Sequence, residues 1–312
     1  MRGAVAQDGK RNIKKEHYEM RDILTLRKRE EILKREFLRK VGYELDLEEP
    51  VTFNQKIMWL KLYYQDPRLT VLADKYALKE YVSSVIGPEY TVPVIRLFER
   101  PEDVDFSVLP DRFVIKVNWS SGYNIIVDDK SAFDEEKVRR TLGIWSAPDR
   151  NCYWQFFNWA YRDMPRRIYA EEFITQTGRE LYDYKLYFSG GEFIYMFIAT
   201  DRFTGEGVTY TFFDDELKPL PFTYGGKRRL DPPPEVPPET EEMIRLGKKL
   251  AGELPFVRVD FYLTDTGRIY VGEMTFYSGG GILRFDPVEW DRKMGEAIRL
   301  PEKLITEEEP CS

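Results

Sequence analysis

Residues Val257 to Gly281 read VRVDFYLTDTGRIYVGEMTFYSGGG, two strand-like runs joined by a turn, with Arg258, Asp260 and Glu273 set among apolar residues. Strand side chains alternate between faces, so Arg258, Asp260 and Tyr262 share one face while Val257, Val259 and Phe261 share the other. In the second run Ile269, Val271, Glu273 and Thr275 line up. A hairpin loop of Thr264-Asp265-Thr266-Gly267 would pair Leu263 with Arg268, Asp260 with Val271 and Arg258 with Glu273. Asp260 and Glu273 are then diagonal neighbours with backbones roughly 7–8 Å apart, close enough to share a divalent cation and poorly tolerated without one. The alternative is an Arg258–Glu273 ion pair beside an exposed Asp260, an arrangement common on half-solvated sheets.

Around this hairpin the chain mixes helices and strands. Helical spacing is expected over residues 13–40, and Leu26, Leu33 and Phe37 mark an apolar face that docks on the body. Thr52 and Gln55 form a capping box ahead of a helix whose buried face holds Ile57, Leu60 and Tyr64. A further helix is expected from Asp74 to Val85, stopped by Gly87 and Pro88. After Pro93 come VPVIRLF, RFVIKVN, NIIVD, RIYAEEFI, YDYKLYFS, EFIYMFIA and VTYTFFD, all strand-like, with a charged helix from Phe133 to Trp145 between the third and fourth. DPPPEVPP, Asp231 to Pro238, is a stiff connector to a helix over Glu239 to Leu250, and a last helix covers Val288 to Arg299. The pattern indicates α+β.

Three shorter stretches also carry chemistry. Lys116 opposes Phe113, Ile115 and Val117 on a strand that runs into Trp119-Ser120-Ser121-Gly122-Tyr123-Asn124, and a lysine leading into a small-residue loop suits phosphate. The same loop also reads as a plain hairpin turn. Tyr169-Ala170-Glu171-Glu172-Phe173-Ile174 ends in acids and apolar groups that could read adenine, or form a solvated strand edge. Asp183 and Lys185 share one strand face, which is either functional or the solvent side of a sheet.

With 312 residues and 42% hydrophobic content, the chain can bury a full core. Cys152 and Cys311 give neither a disulfide framework nor a metal spacing, and the single histidine, His17, excludes histidine triads and histidine-ligated metal sites. Any metal must bind oxygen, which points to magnesium or manganese. No signal peptide or membrane-span pattern is visible, so a cytoplasmic protein is expected. Residues 1–40 carry a net charge of +6 against −7 for the whole chain, leaving −13 on the remainder. This basic arm either docks as an amphipathic helix or touches a membrane surface or polyanionic glycan; no nucleic-acid partner is expected.

In order, Asp74-Lys75, FVIKVN-WSSGYN, AEEFI, DYK, VRVDFY and YVGEMTFYSGGG resemble the ATP-grasp superfamily. TFNQKIMWLKLY, LADKYALKEYV, LPDRFVIKVNWSSGYN, DRF at Asp201 to Phe203, PFTYG at Pro221 to Gly225 and PFVRVDFY look like its TupA-like branch, named after teichuronopeptide biosynthesis. The resemblance covers roughly residues 50–290. It implies two α+β lobes clamping ATP: an extension over 1–50, an ATP-grasp domain over 51–300 divided into 51–168 and 169–300, and an acidic tail over 301–312.

By position, the resemblance gives Lys75 and Lys116 to the phosphates and Ser120, Ser121 and Gly122 to a loop over them. It gives Glu171, Phe173 and Ile174 to adenine and Asp183 to ribose. Asp260, Glu273 and Thr275 would hold magnesium, with manganese as substitute. Thr275 stands where the family usually supplies asparagine, and a hydroxyl is the weaker ligand. Arg202, Arg258 and Lys185 would steady phosphoryl transfer, and Ser278, Gly279, Gly280 and Gly281 would meet the acceptor carboxylate. The implied activity is a carboxylate–amine ligase working through an acylphosphate, with a uronic-acid or other cell-surface glycan carboxylate as acceptor and an amino acid or peptide as amine. Two rival readings are a nucleotide-sugar glycosyltransferase using the Asp103-Val104-Asp105 motif, and a nucleotide-binding scaffold without turnover.

Overall fold

The computed structural model describes residues 25–147, 150, 153, 157–174, 181–201 and 207–305. Residues 13–24 of the expected first helix, together with His17, Cys152, Arg202 and Cys311, lie outside them. Helix α1 (Leu26–Val41) starts where the Thr25 side chain accepts from the Lys28 N–H and buries Leu26, Arg29, Leu33 and Phe37. In α2 (Phe53–Tyr63) both halves of the Thr52/Gln55 capping box are formed. The helix expected over Asp74 to Val85 starts later, as α4 (Leu78–Val85), and a short α3 (Arg68–Ala73) precedes Asp74. The Asp74 carboxylate accepts from the N–H groups of Tyr76 and Ala77 at 2.8 and 3.2 Å, a side-chain turn that competes with helix at that point.

Two antiparallel sheets follow. The first contains β1 (Val94–Phe98), β2 (Phe113–Val117), β3 (Asn124–Val127) and, after helix α5 (Glu135–Trp145), β4 (Ile168–Glu172), in the order β1-β4-β2-β3. The second contains β5 (Asp183–Ser189), β6 (Glu192–Thr200), β7 (Thr209–Phe213), β9 (Val257–Leu263) and β10 (Ile269–Thr275), in the order β10-β9-β5-β6-β7. Short β8 (Thr223–Tyr224) pairs with β11 (Phe285–Asp286). Helix α6 (Thr240–Ala251) covers the back of β5 and β9, and α7 (Glu289–Glu296) packs on α2.

Strand alternation explains why the second sheet has two unlike faces. Tyr184, Leu186 and Phe188 turn toward α6 with Val257 and Val259, and all are buried. Asp183, Lys185 and Tyr187 turn the other way. Phe53 of α2 closes one end of that second face, its ring 6.3 Å from Tyr187 and 5.8 Å from Phe256. No described helix is long and apolar enough to cross a membrane.

Candidate active site

Residues paired across an antiparallel ladder share a face. Glu273, Asp260, Lys185, Phe197 and Phe212 therefore form one lateral row across β10, β9, β5, β6 and β7. Thr275, Arg258, Tyr187 and Tyr195 form a row on one side of it, and Tyr270, Tyr262, Asp183, Ala199 and Tyr210 a row on the other.

The hairpin register differs from the expected one. Leu263 pairs with Ile269, and a bulge between Val271 and Glu273 sets Asp260 directly opposite Glu273 and Arg258 opposite Thr275. The two carboxylates are thus direct rather than diagonal neighbours, and Ile269 and Val271 turn away from the site. Gly272 sits in the bulge, where a Cβ would lie 2.7 Å from Cε2 of Tyr262, so glycine leaves room for the tyrosine ring beside the bulged backbone. Asp260 is 2% exposed, which removes the reading in which it faces solvent.

A cleft of about 240 Å³ lies between the sheets, lined from the first side by Lys75, Lys116 and Ser121 to Asn124 and from the second by Glu273, Asp260, Lys185 and Phe197 of the central row and by Arg258, Tyr262, Asp183 and Tyr210 of the flanking ones. Its charges interlock. The Arg258 guanidinium donates to Asp260 through Nε at 2.6 Å and Nη2 at 2.8 Å, and to Glu273 at 3.0 Å and Thr275 at 3.1 Å. Lys185 bonds Asp260 and lies 3.5 Å from Asp183, while Lys75 reaches Glu273 at 3.2 Å and the Ser120 carbonyl at 3.0 Å. Burial pushes the Glu273 carboxyl up, yet Lys75, Lys185 and Arg258 outweigh it and hold the group well below the ordinary glutamate range. Burial likewise opposes the charge on Arg258, but Asp260 more than compensates and makes it more basic than a free arginine.

A second cluster sits on the first sheet. Lys116 and Lys79 both pair with the buried Glu171, Lys79 at 3.1 Å. Burial raises the Glu171 carboxyl, and the two lysines bring it below the usual value; Lys79 is itself made less basic by burial. Glu172 is exposed. Phe173 and Ile174 follow the end of β4, half-buried, and the Arg112 guanidinium lies 4.2 Å from the Phe173 ring centre. The loop after β2 is anchored rather than loose: the Trp119 indole donates to the Trp145 carbonyl at 3.1 Å, and Tyr123 stacks on Trp145 at 4.6 Å. Ser121 and Gly122 are exposed at its tip.

Thr275 donates to Glu273 at 3.3 Å besides accepting from Arg258. Ser278 accepts from Arg258 at 3.2 Å and bonds the Tyr187 hydroxyl at 2.9 Å. Gly279, Gly280 and Gly281 all have positive φ, and the Gly280 N–H donates to the Tyr277 carbonyl while its own carbonyl accepts from Lys61. Among the described residues no group of three or more His, Cys, Asp and Glu side chains is arranged to hold a metal. Asp103 bonds Arg100 and Asp105 bonds Ser107, and neither lines the cleft.

Sequence reasoning missed Lys79, Arg167 (2.6 Å from Asp74) and the ring groups Phe197, Tyr210 and Tyr224 that complete the cleft. A clue to Lys79 existed in DKYALK, where a second lysine follows Lys75 at one-turn spacing.

Two antiparallel sheets gripping a polar cleft, with paired carboxylates on one and lysines on both, define an ATP-grasp protein. The family model described as "TupA-like ATPgrasp" matches residues 55–299, and the chain belongs to that family. Among solved structures it is similar to N5-carboxyaminoimidazole synthetase from Staphylococcus aureus (14% identity, 66% of this chain and 44% of that one, TM-score 0.39). It is similar also to D-alanine–D-alanine ligase from Bacillus anthracis complexed with ATP (16%, 67% and 57%, TM-score 0.39) and to L-amino acid ligase from Bacillus licheniformis (14%, 67% and 41%, TM-score 0.38). The matched part spans about half the length of these structures. A search of curated proteins gave no match.

Proposed function

We propose that the chain is an ATP- and magnesium-dependent carboxylate–amine ligase of the cytoplasm. The observation that carries this reading is that Lys75, Lys185 and Arg258 pair with the directly opposed carboxylates Glu273 and Asp260, while Lys116, held by Glu171, lines the same cleft. The cleft lining sets these four cations against Asp183, Asp260 and Glu273, so ammonium and guanidinium groups that now hold carboxylates stand where they can exchange onto a polyphosphate and its cation. The donor set suits magnesium, which binds one or two carboxylates and takes its remaining oxygens from phosphate and water. Manganese would be tolerated by the same oxygens.

In this reading Asp260 and Glu273 hold the ion, and Thr275 orients Glu273 and Arg258. The bound ion would neutralise charge on the phosphates. Lys75 and Lys116 bind the phosphates beneath Ser120, Ser121 and Gly122, Glu171 with Phe173 and Ile174 takes adenine, and Asp183 takes ribose. Arg258, Lys185 and Arg202 steady the transferring phosphoryl group. An acceptor carboxylate oxygen attacks the γ-phosphorus as the bond to the bridging oxygen breaks and ADP leaves. An amine then attacks the acyl carbon, loses a proton, and phosphate departs. Such transfer rests on positioning and charge neutralisation, for which the cleft needs no histidine or cysteine. Family membership supports a cell-surface glycan carboxylate as acceptor and an amino acid or peptide as amine, with Ser278 to Gly281 near the acceptor and the basic residues 1–40 touching glycan or membrane.

ADP release is measured with ATP, magnesium, a panel of carboxylates and the common amino acids. Heat stabilisation by ATP with magnesium, about 2.7 kcal/mol at a hundredfold excess over Kd, is expected alongside it. Stabilisation by UDP-glucose and none by ATP would overturn the reading in favour of a glycosyltransferase.

A further inference from the structure

The site face changes character along its rows. From β10 to β5 it carries Glu273, Asp260, Lys185, Tyr262 and Asp183; from β6 to β7 it carries Phe197, Phe212 and Tyr210. Phe197, Tyr210 and Tyr224 line the same cleft as the charged groups. Their rings touch one another: Phe197 to Tyr210 at 4.8 Å, Tyr210 to Tyr224 at 5.6 Å and Phe197 to Tyr224 at 6.0 Å between centres. Tyr210 alone of the three is half-buried rather than buried, so it presents ring area to the cleft. The Lys227 ammonium stands 6.0 Å from its ring centre.

A polyphosphate and its cation have no use for this wall. Nor is it remote from the reacting groups, because the Tyr224 hydroxyl lies 3.5 Å from that of Tyr187, which bonds Ser278, which accepts from Arg258. A molecule lying on Tyr210 and Phe197 adjoins Lys185, the cross-strand partner of Phe197, whose ammonium lines the same cleft and can take a carboxylate. We propose that Phe197, Tyr210 and Tyr224 form the acceptor subsite, and that the acceptor is a carboxylate carried on a ring with an apolar face. The inference rests on the ligase reading for the word acceptor and on the ring geometry for the rest.

Both a pyranose ring, through its axial C–H groups, and an aromatic ring meet that description. The probes are glucuronate, benzoate and the acyclic succinate, titrated calorimetrically into the full chain loaded with magnesium and a non-hydrolysable ATP analogue, and tested in a separate assay, with ATP in place of the analogue, for ADP release with hydroxylamine as amine. At least one ring carboxylate should bind about tenfold more tightly than succinate, the scale of one aromatic stacking contact between buried partners, and the tighter of the two names the source. Tyr210→Ala should erase that preference, Tyr210→Phe should retain it, and ATP affinity should change less than twofold in both. Equal binding of all three carboxylates overturns the proposal whatever the turnover. So does a Tyr210→Ala protein whose ATP affinity falls as far as its acceptor affinity, since the wall would then be holding adenine. Ring-selective binding that is lost in Tyr210→Ala, without ADP release, leaves the subsite standing and refutes the ligase reading instead.

Discussion

Glu273→Gln isolates the electrostatics of the cleft. The wild-type carboxylate lies 3.2 Å from Lys75 and 3.0 Å from Arg258 and accepts from Thr275. Neutralising it leaves Arg258 its two bonds to Asp260 and Lys75 the Ser120 carbonyl. Breaking a buried pair typically costs 3–5 kcal/mol, and these surviving partners put the expected loss at the low end, about 3 kcal/mol, or roughly 6 °C in Tm at about 2 °C per kcal/mol for a chain this large. The depressed folded pKa of Glu273 sets the pH dependence. Stabilisation is full above the unfolded value near about 4.3 and is lost as pH falls through the folded value, so parent and variant should converge in acid. Urea melts of metal-free protein at pH 7 and below pH 4 measure both effects. A variant that melts at or above the parent at pH 7 would mean that repulsion between Asp260 and Glu273 exceeds what Lys75, Lys185 and Arg258 supply, and the charge balance drawn for the cleft would be wrong.

Lys116→Ala should weaken ATP binding by about 10- to 100-fold, the loss of one charge-assisted contact, whereas Asp105→Ala, which loses only its bonds to Ser107, should leave ATP affinity unchanged in calorimetry; equal losses would remove Lys116 from the phosphate site. Gly272→Ala should destabilise by about 1–3 kcal/mol because its methyl group meets the Tyr262 ring, and pairing it with Tyr262→Ala should recover part of the Tm; full additivity of the two losses would contradict that contact. Asp291, buried against Tyr43 and Asn54, has a carboxyl raised by burial. Its contribution is therefore present below the unfolded value near about 3.9 and lost as pH rises through the folded one, so Asp291→Asn should flatten the stability profile just above pH 4 in urea melts, and an unchanged slope would refute the assignment.

Local chemistry was legible in the chain. The Thr52/Gln55 capping box, the alternation of Arg258 and Asp260 along β9, and the lysine on β2 are written in residues next to one another, and the structure has all three. What was hidden depends on partners distant in sequence. The register of β10 shifts at a bulge around Gly272, packed against Tyr262, and a strict period-two reading carries Ile269 and Val271 to the wrong face. Asp74 reads as helix from its surroundings, yet its carboxylate bonds local N–H groups and Arg167, 93 residues away. Lys79 looks like a solvated helix position until β4 brings Glu171 beside it. Phe197 and Tyr210 look like core because alternation cannot tell a packed face from a cleft wall.

The lateral row Glu273–Asp260–Lys185–Phe197–Phe212 also bears on how the chain finds its fold. A slip of one residue in the pairing of β5 or β9 would turn Asp183, Lys185 and Asp260 onto the face covered by α6, against Met243, Leu246 and Leu250, and would leave charges in apolar surroundings without their counterions. Both strands are apolar on the face toward α6 and carry charge on the other, so a slipped register misplaces both sets at once. The charged groups of the cleft make the wrong alignments costly, so the side chains assigned here to nucleotide chemistry also proofread the assembly of the sheet that holds them.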